Sequence, residues 1–208
     1  MNIGGYQPHS LCDYPGRVAA VVFTQGCNYR CPFCHNSGLL ATEVEAGRLL
    51  APEAILAKLR ARRGKLDAVV VTGGEPTLQA DLAQFLEDVR TLGFLVKLDT
   101  NGSRPDVLAA LFEARLLDYV AMDVKATWSR YKELAGVDVC VEDLQRSLKM
   151  IAGSGVPHEF RTTIVPALVK HEDIAAIREQ CPGTSFFRTQ QFRPERAVAA
   201  GLRRPAKA

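Results

Sequence analysis

From Arg17 onward, short runs of β-branched and apolar residues alternate with longer segments of helical period. A tight turn cannot join two parallel strands, so this alternation describes parallel strands connected by crossover helices. Six units are read. The strand candidates are Val18 to Thr24, Ala68 to Thr72, Leu95 to Asp99, Tyr119 to Met122, Glu159 to Val165 and Ser185 to Phe192. Each is short and apolar enough to be expected to bury both faces. The helix candidates are Pro52 to Arg62, Asp81 to Leu92, Pro105 to Ala114, Val141 to Ala152 and His171 to Gln180. Pro52 and Pro105 suit first-turn positions, and Gly93 and Gly153 are expected to end helices through positive φ. The fold class is α/β, and periodicity alone leaves an open parallel barrel and a doubly wound sheet as alternatives.

A length of 208 residues implies one domain, 1–208, with a core over about 11–192. The tail from 193 to 208 has little apolar surface and is expected to be loose. Its Arg193, Arg196, Arg203, Arg204 and Lys207 could touch an acidic partner, although a solvated terminus is the simpler account. A formal charge of +3 is too small to point to nucleic acid or a membrane surface. No run reaches the roughly 18 apolar residues of a membrane span, and the start lacks a basic region followed by an apolar one. A cytoplasmic location is the expectation.

Three of the six cysteines, Cys27, Cys31 and Cys34, fall within eight residues in GCNYRCPFCHN, directly after the first strand candidate. Clustering of this kind points to a metal or cluster site rather than to disulfides. Thiolates are the ligands of iron–sulfur clusters, and three of them would leave one iron of a four-iron cluster without a protein ligand, free to bind a substrate. The competing account is a zinc site completed by His35 or a distant cysteine, as in a zinc-binding interaction module. Cys12, Cys140 and Cys181 stand alone and read as small buried hydrophobes.

Polar groups recur at the other strand ends. The second strand runs into Gly73, Gly74 and Glu75, where the glycines permit close backbone approach and the glutamate offers a carboxylate. The third ends in Asp99, Thr100 and Asn101, and the fourth in Asp123 and Lys125, which share one face of an extended chain. The fifth contains Arg161 and closes at Val165. Each signal alone is weak, since a turn or a surface ion pair accounts for it. All fall on the carboxyl edge, where parallel β/α folds carry their chemistry, and together they describe one concave site for a polar, zwitterionic ligand.

With Phe33 before its last cysteine, the C-x3-C-x2-C array resembles the cluster motif of the radical S-adenosylmethionine superfamily. Through DYPGRVAAVVFTQGCNYRCPFCHN the chain looks most like the activating proteins of glycyl-radical enzymes, in particular those serving anaerobic ribonucleoside-triphosphate reductase. The resemblance implies a partial (β/α)6 TIM-like barrel, open at the side. It also implies one 4Fe-4S cluster on Cys27, Cys31 and Cys34, whose open iron takes the amino and carboxylate groups of S-adenosylmethionine. Reductive cleavage then yields a 5′-deoxyadenosyl radical, a species that no side chain can replace.

By the same resemblance, Gly73, Gly74 and Glu75 would hold the methionine amino group, and Asp123 and Lys125 would meet the carboxylate and ribose region. Asp99 and Thr100 match positions that help bind a monovalent cation in related activases, and Asn101 would sit by the ribose. Arg161, Val165 and the Phe33 backbone would support the carboxylate and adenine. Asp13 would face the incoming glycine loop of the protein substrate. The implied partners are a glycyl radical enzyme, most closely an anaerobic ribonucleotide reductase, and a reductant such as flavodoxin or ferredoxin. Among small radical S-adenosylmethionine enzymes, the alternative is one with a low-molecular-weight substrate, such as a 7-carboxy-7-deazaguanine synthase.

Overall fold

The computed structural model describes residues 1–45, 47–183 and 187–203. Seven strands form one sheet: β1 (Ile3–Ser10), β2 (Ala19–Thr24), β3 (Ala68–Gly73), β4 (Leu95–Thr100), β5 (Tyr119–Asp123), β6 (His158–Ile164) and β7 (Phe187–Gln191). They are hydrogen-bonded in chain order, with β1 antiparallel to β2 and every later pair parallel. Six parallel strands with their crossovers make the expected partial (β/α)6 barrel. Among the described residues it is open, because β1 and β7 do not pair with each other. The helices are α1 (Pro52–Arg60), α2 (Leu82–Thr91), α3 (Pro105–Glu113), α4 (Tyr131–Ala135), α5 (Val141–Gly153) and α6 (His171–Glu179).

Alternation along the strands divides the sheet into two faces. Ala20, Val22, Val69, Val71, Val96, Leu98, Val120, Met122 and Phe160 pack with helix residues such as Leu59, Leu86, Leu108, Leu148 and Ile177 in the main core. Helix α2 illustrates the match of period to burial: Leu82, Phe85, Leu86 and Val89 recur at helical spacing and are all buried. Each such side chain contributes roughly 1.5–3 kcal/mol by leaving water. The opposite face carries a small apolar floor of Ala19, Val21, Ala68 and Val70 under Tyr14. Farther along the sheet that face turns polar.

Several sequence expectations change. Strand β1 lay outside the expected core, because its mixed residues IGGYQPHS do not alternate cleanly. It is an edge strand whose pairing is irregular on either side of the stretch from Gly5 to Gln7. Pro8, which cannot donate a ladder hydrogen bond, falls in one of the irregular segments. Helix α4 is only five residues long, too short for a periodic signal. Gly153 does not end α5 through positive φ; the helix includes it and the left-handed residue is Gly155, whereas Gly93 behaves as expected. Strand β7 is not buried on both faces, since four of its five residues are exposed at the sheet edge. The start of its expected range at Ser185 lies outside the described residues.

The segment expected to be a loose tail is docked where it is described. The Ala199 N–H donates to the Pro32 carbonyl at 2.9 Å, the Arg193 N–H donates to His35 Nε2 at 3.0 Å, and Ala197 is buried. Phe192 stacks on His35 with ring centroids 5.7 Å apart. Backbone hydrogen bonds and one aromatic contact thus hold a segment that composition alone reads as polar. Arg204 and Lys207 lie outside the described residues.

Candidate active site

A cavity of about 540 Å³ opens at the carboxyl ends of the parallel strands. Cys27, Cys31, Cys34, Phe33 and Asp13 line it on one side, and Gly73, Gly74, Glu75, Asp99, Thr100, Asn101, Asp123, Lys125 and Arg161 line the rest. The fold therefore gathers residues from six separate segments into one site. Val165 is the exception. Its side chain is fully buried in the core, and its carbonyl accepts from the Leu168 and Val169 N–H groups at 2.8 and 2.7 Å.

The cysteine loop leaves β2 through Gln25 and Gly26. The buried Gln25 amide donates to the carbonyls of Gly38 and Ala41, while the N–H groups of Gly26 and Cys27 donate to Leu39 and Leu40. The returning chain is therefore stapled beneath the loop. Within it, the Arg30 guanidinium donates to the carbonyls of Cys27 and Tyr29, and the Cys34 N–H closes a turn onto Cys31. Burial raises the Cys27 thiol and pushes Cys31 up to about 11, although Lys125 acts to lower both. Three free thiols facing one cavity with a lysine beside them are a donor set that fits an iron–sulfur cluster, whose positive irons would stabilise the thiolates that burial disfavours. Among the described residues, no three His, Cys, Asp or Glu side chains are set to hold a single metal ion.

Why Gly73 and Gly74 follow β3 is visible in the packing. A Cβ on Gly74 would lie 2.0 Å from the Gly26 carbonyl oxygen, and Gly73 has φ +113° with its would-be Cβ 2.5 Å from the Thr24 nitrogen. Only glycine lets the ends of β2 and β3 approach this closely. The Glu75 N–H donates to the same Gly26 carbonyl at 2.9 Å. The Glu75 carboxylate is buried and accepts from the Thr77 N–H and hydroxyl, the Thr100 hydroxyl and the Asn101 N–H. Burial raises its pKa despite these four donors. Its side chain thus ties the end of β3 to the end of β4. Asn101 extends the tie, donating to Asn28 in the cysteine loop at 2.9 Å, while Asn28 donates to Ser103 at 2.8 Å.

Across β4, β5 and β6 the cavity floor is ionic. Arg161 donates through Nε to Asp123 Oδ1 at 2.9 Å and through Nη1 to Asp99 Oδ2 at 3.2 Å. Lys97, only 1% exposed, donates to Asp99 Oδ1 at 2.6 Å and lies 4.0 Å from Glu159. Lys125 stands 3.7 Å from Asp123 Oδ2. Burial works to raise the Asp123 pKa, but Arg161 and Lys125 outweigh it and hold the carboxyl below the usual range. Burial likewise works against the charge of Lys125, and Cys31 and Asp123 keep it protonated.

At the end of β1, Asp13 accepts from the Ser10 hydroxyl, which in turn accepts from the Cys12 and Asp13 N–H groups. Sequence reasoning missed Lys97, Glu159, Thr163 and Tyr29. Lys97, Glu159 and Thr163 carried a usable signal, because each lies two residues from a named candidate and so shares its strand face.

The Radical SAM superfamily model matches residues 21–179, and the chain belongs to that superfamily. A protein of Methanocaldococcus jannaschii named as a glycyl-radical enzyme activating enzyme is 36% identical over 200 residues, covering 94% of this chain and 81% of the relative. A 7-carboxy-7-deazaguanine synthase of Hyperthermus butylicus is 39% identical over 93 residues, covering 44% of this chain and 38% of that one. Streptococcus suis SuiB bound to S-adenosylmethionine has the same fold, with a TM-score of 0.62 at 19% identity over 80% of this chain and 38% of SuiB.

Proposed function

We propose that this protein is an activating enzyme that generates a glycyl radical on a partner enzyme, with an anaerobic ribonucleoside-triphosphate reductase as the specific partner. The observation that carries this reading is the single cavity shared by the three-cysteine loop, the polar strand ends and Asp13, in a barrel left open at its edge. The similarity to the archaeal activating enzyme over nearly the whole chain supports it. A small-molecule substrate is the weaker reading, since this chain covers only 48% of a probable GTP 3′,8-cyclase of Thermococcus kodakarensis and 38% of the deazaguanine synthase, against 81% of the activating enzyme.

In this reading, Cys27, Cys31 and Cys34 hold a 4Fe-4S cluster. When bound and reduced by a flavodoxin or ferredoxin, that cluster and S-adenosylmethionine together supply the radical that removes hydrogen from carbon. The chain's own residues bind and orient. Because four donors already occupy the Glu75 side chain, the methionine ammonium would meet backbone oxygens of the Gly73–Gly74–Glu75 turn, with Glu75 holding that turn in shape. Lys125 and Arg161 supply positive charge for the carboxylate, Asn101 lies toward the ribose, and Phe33 flanks the adenine. Asp13 would position the glycine loop of the partner. Glycine suits that role because its Cα has no side chain to block approach.

The expected monovalent cation does not fit these residues. Both Asp99 oxygens and Asp123 Oδ1 accept from Lys97 or Arg161, and the Thr100 hydroxyl donates to Glu75 and accepts from the Gly102 N–H.

The test is low-temperature electron paramagnetic resonance of the reconstituted, reduced protein, with and without S-adenosylmethionine, followed by assay for 5′-deoxyadenosine. A cofactor-dependent change in the cluster signal is expected, and adding the reductase should produce a glycyl-radical doublet on that partner. Cleavage with no radical on any partner protein, together with turnover of a small substrate, would overturn the activase reading.

A further inference from the structure

The inner face of β4 to β6 places two cations of the chain where its resemblance to other activases implies a bound ion. Lys97 is almost wholly buried, and its ammonium lies within a strong charge-assisted hydrogen bond of Asp99. The Arg161 guanidinium bridges Asp99 and Asp123, so a single planar group joins the carboxylates of adjacent strands. Strand register brings this about, since Asp123 is paired directly with Arg161 and Asp99 with Ala121. Glu159 is ion-paired with Arg188 at 3.1 Å and stands 3.8 Å from Arg161. With Lys125, four cationic side chains face three carboxylates in this group. A further ion would have to compete with Lys97 and Arg161, which already engage both Asp99 oxygens and Asp123 Oδ1.

We propose that Lys97 and Arg161 serve as the built-in cation of this site, so that the chain binds S-adenosylmethionine without sodium or potassium. Lys97 is then a positioning residue. It neutralises Asp99 and fixes its carboxylate, which in turn orients Arg161 toward the cavity. The inference rests on the S-adenosylmethionine chemistry of the superfamily and is independent of which partner receives the radical.

The experiment compares S-adenosylmethionine affinity and cleavage in the reconstituted enzyme in sodium, potassium and tetramethylammonium chloride at equal ionic strength, which keeps screening constant. It is paired with the sodium NMR line width of the apoprotein, a readout that needs neither cluster nor turnover. The wild type should vary by less than about twofold among the salts, whereas Lys97→Ala, which frees both space and an Asp99 oxygen, should gain at least about a fivefold sodium or potassium response in affinity. Lys97→Met removes the charge but fills the space, so it should lose affinity without gaining that response; a merely structural role would affect both variants alike.

Loss of wild-type affinity in tetramethylammonium, or sodium broadening by wild-type apoprotein that potassium reverses, would overturn the proposal. If Lys97→Ala fails to fold, those two wild-type measurements still decide it. Absence of cleavage in every salt would count against the functional reading, whereas the sodium line width would still report on the cation.

Discussion

The inner face of the sheet has two unlike halves. Under β2 and β3 it is a floor of Ala19, Val21, Ala68 and Val70, and the site above it is shaped by backbone: glycines, a stapled loop and three thiols. Under β4 to β6 it is a lattice of Lys97, Asp99, Asp123, Glu159 and Arg161, and the site is shaped by charge. The difference follows from what each half must hold. Thiols need a close, dry cradle for a bulky inorganic group, whereas a zwitterionic ligand needs fixed charges that do not reorganise when it arrives.

The sharpest division between the halves is chemical. Serine at Cys27, Cys31 or Cys34 is expected to abolish reductive cleavage, and retained cleavage in all three single variants would remove the cluster from the first half. On the ionic side, Arg161→Ala should destabilise the fold by about 3 kcal/mol, because it removes one charge-assisted hydrogen bond from each of Asp99 and Asp123 while Lys97 and Lys125 remain beside them. Denaturant titration measures this, and a loss below that of an apolar truncation would mean that solvent already screens the lattice. Glu75→Ala, at the junction of the halves, leaves the Thr77, Thr100 and Asn101 donors without their acceptor and should cost about 3 kcal/mol. Val70→Ala, in the apolar floor, should cost about 2 kcal/mol through lost burial and a small cavity.

The smallest effect is a pH dependence. Asp123 has a folded-state pKa below its unfolded one, so its stabilisation is complete above the unfolded value and disappears as pH falls through the folded one. The difference in melting temperature between wild type and Asp123→Asn should therefore be largest near neutrality and shrink below about pH 4. Because Asp123 is partly exposed, it should reflect about 1 kcal/mol or less. A difference that does not begin to shrink as pH falls below about 4 would show that the asparagine perturbs packing rather than charge.

Much of this was legible from local pattern. The six parallel strands, five helices and cysteine loop were readable because short strand-like runs between helical segments, helical period and cysteine clustering are local signals, although β7 proved exposed rather than buried. Strand β1 was not, since an edge strand with glycine and proline has no clean alternation, and neither was α4, which is barely more than one turn. The same limit applies to the site. Twelve residues between Cys27 and Arg161 were named from the cysteine spacing and from polar groups at strand ends, Phe33 and Asp13 came from the family resemblance, and the structure brings all of them to one cavity. Val165 failed because a single apolar residue after an arginine carries no indication of which way its carbonyl faces.

The sequence by itself determined the class of fold, the ligand type of the cysteine loop and the edge of the sheet that carries polar groups, because strand period and residue chemistry are properties of the chain. Tertiary structure alone decided which charges meet. Register sets Arg161 between Asp99 and Asp123, burial turns Lys97 inward, and the Glu75 carboxylate is engaged by donors on two loops. Those pairings join residues 2 to 62 positions apart, and only the packed sheet brings their atoms within hydrogen-bonding distance.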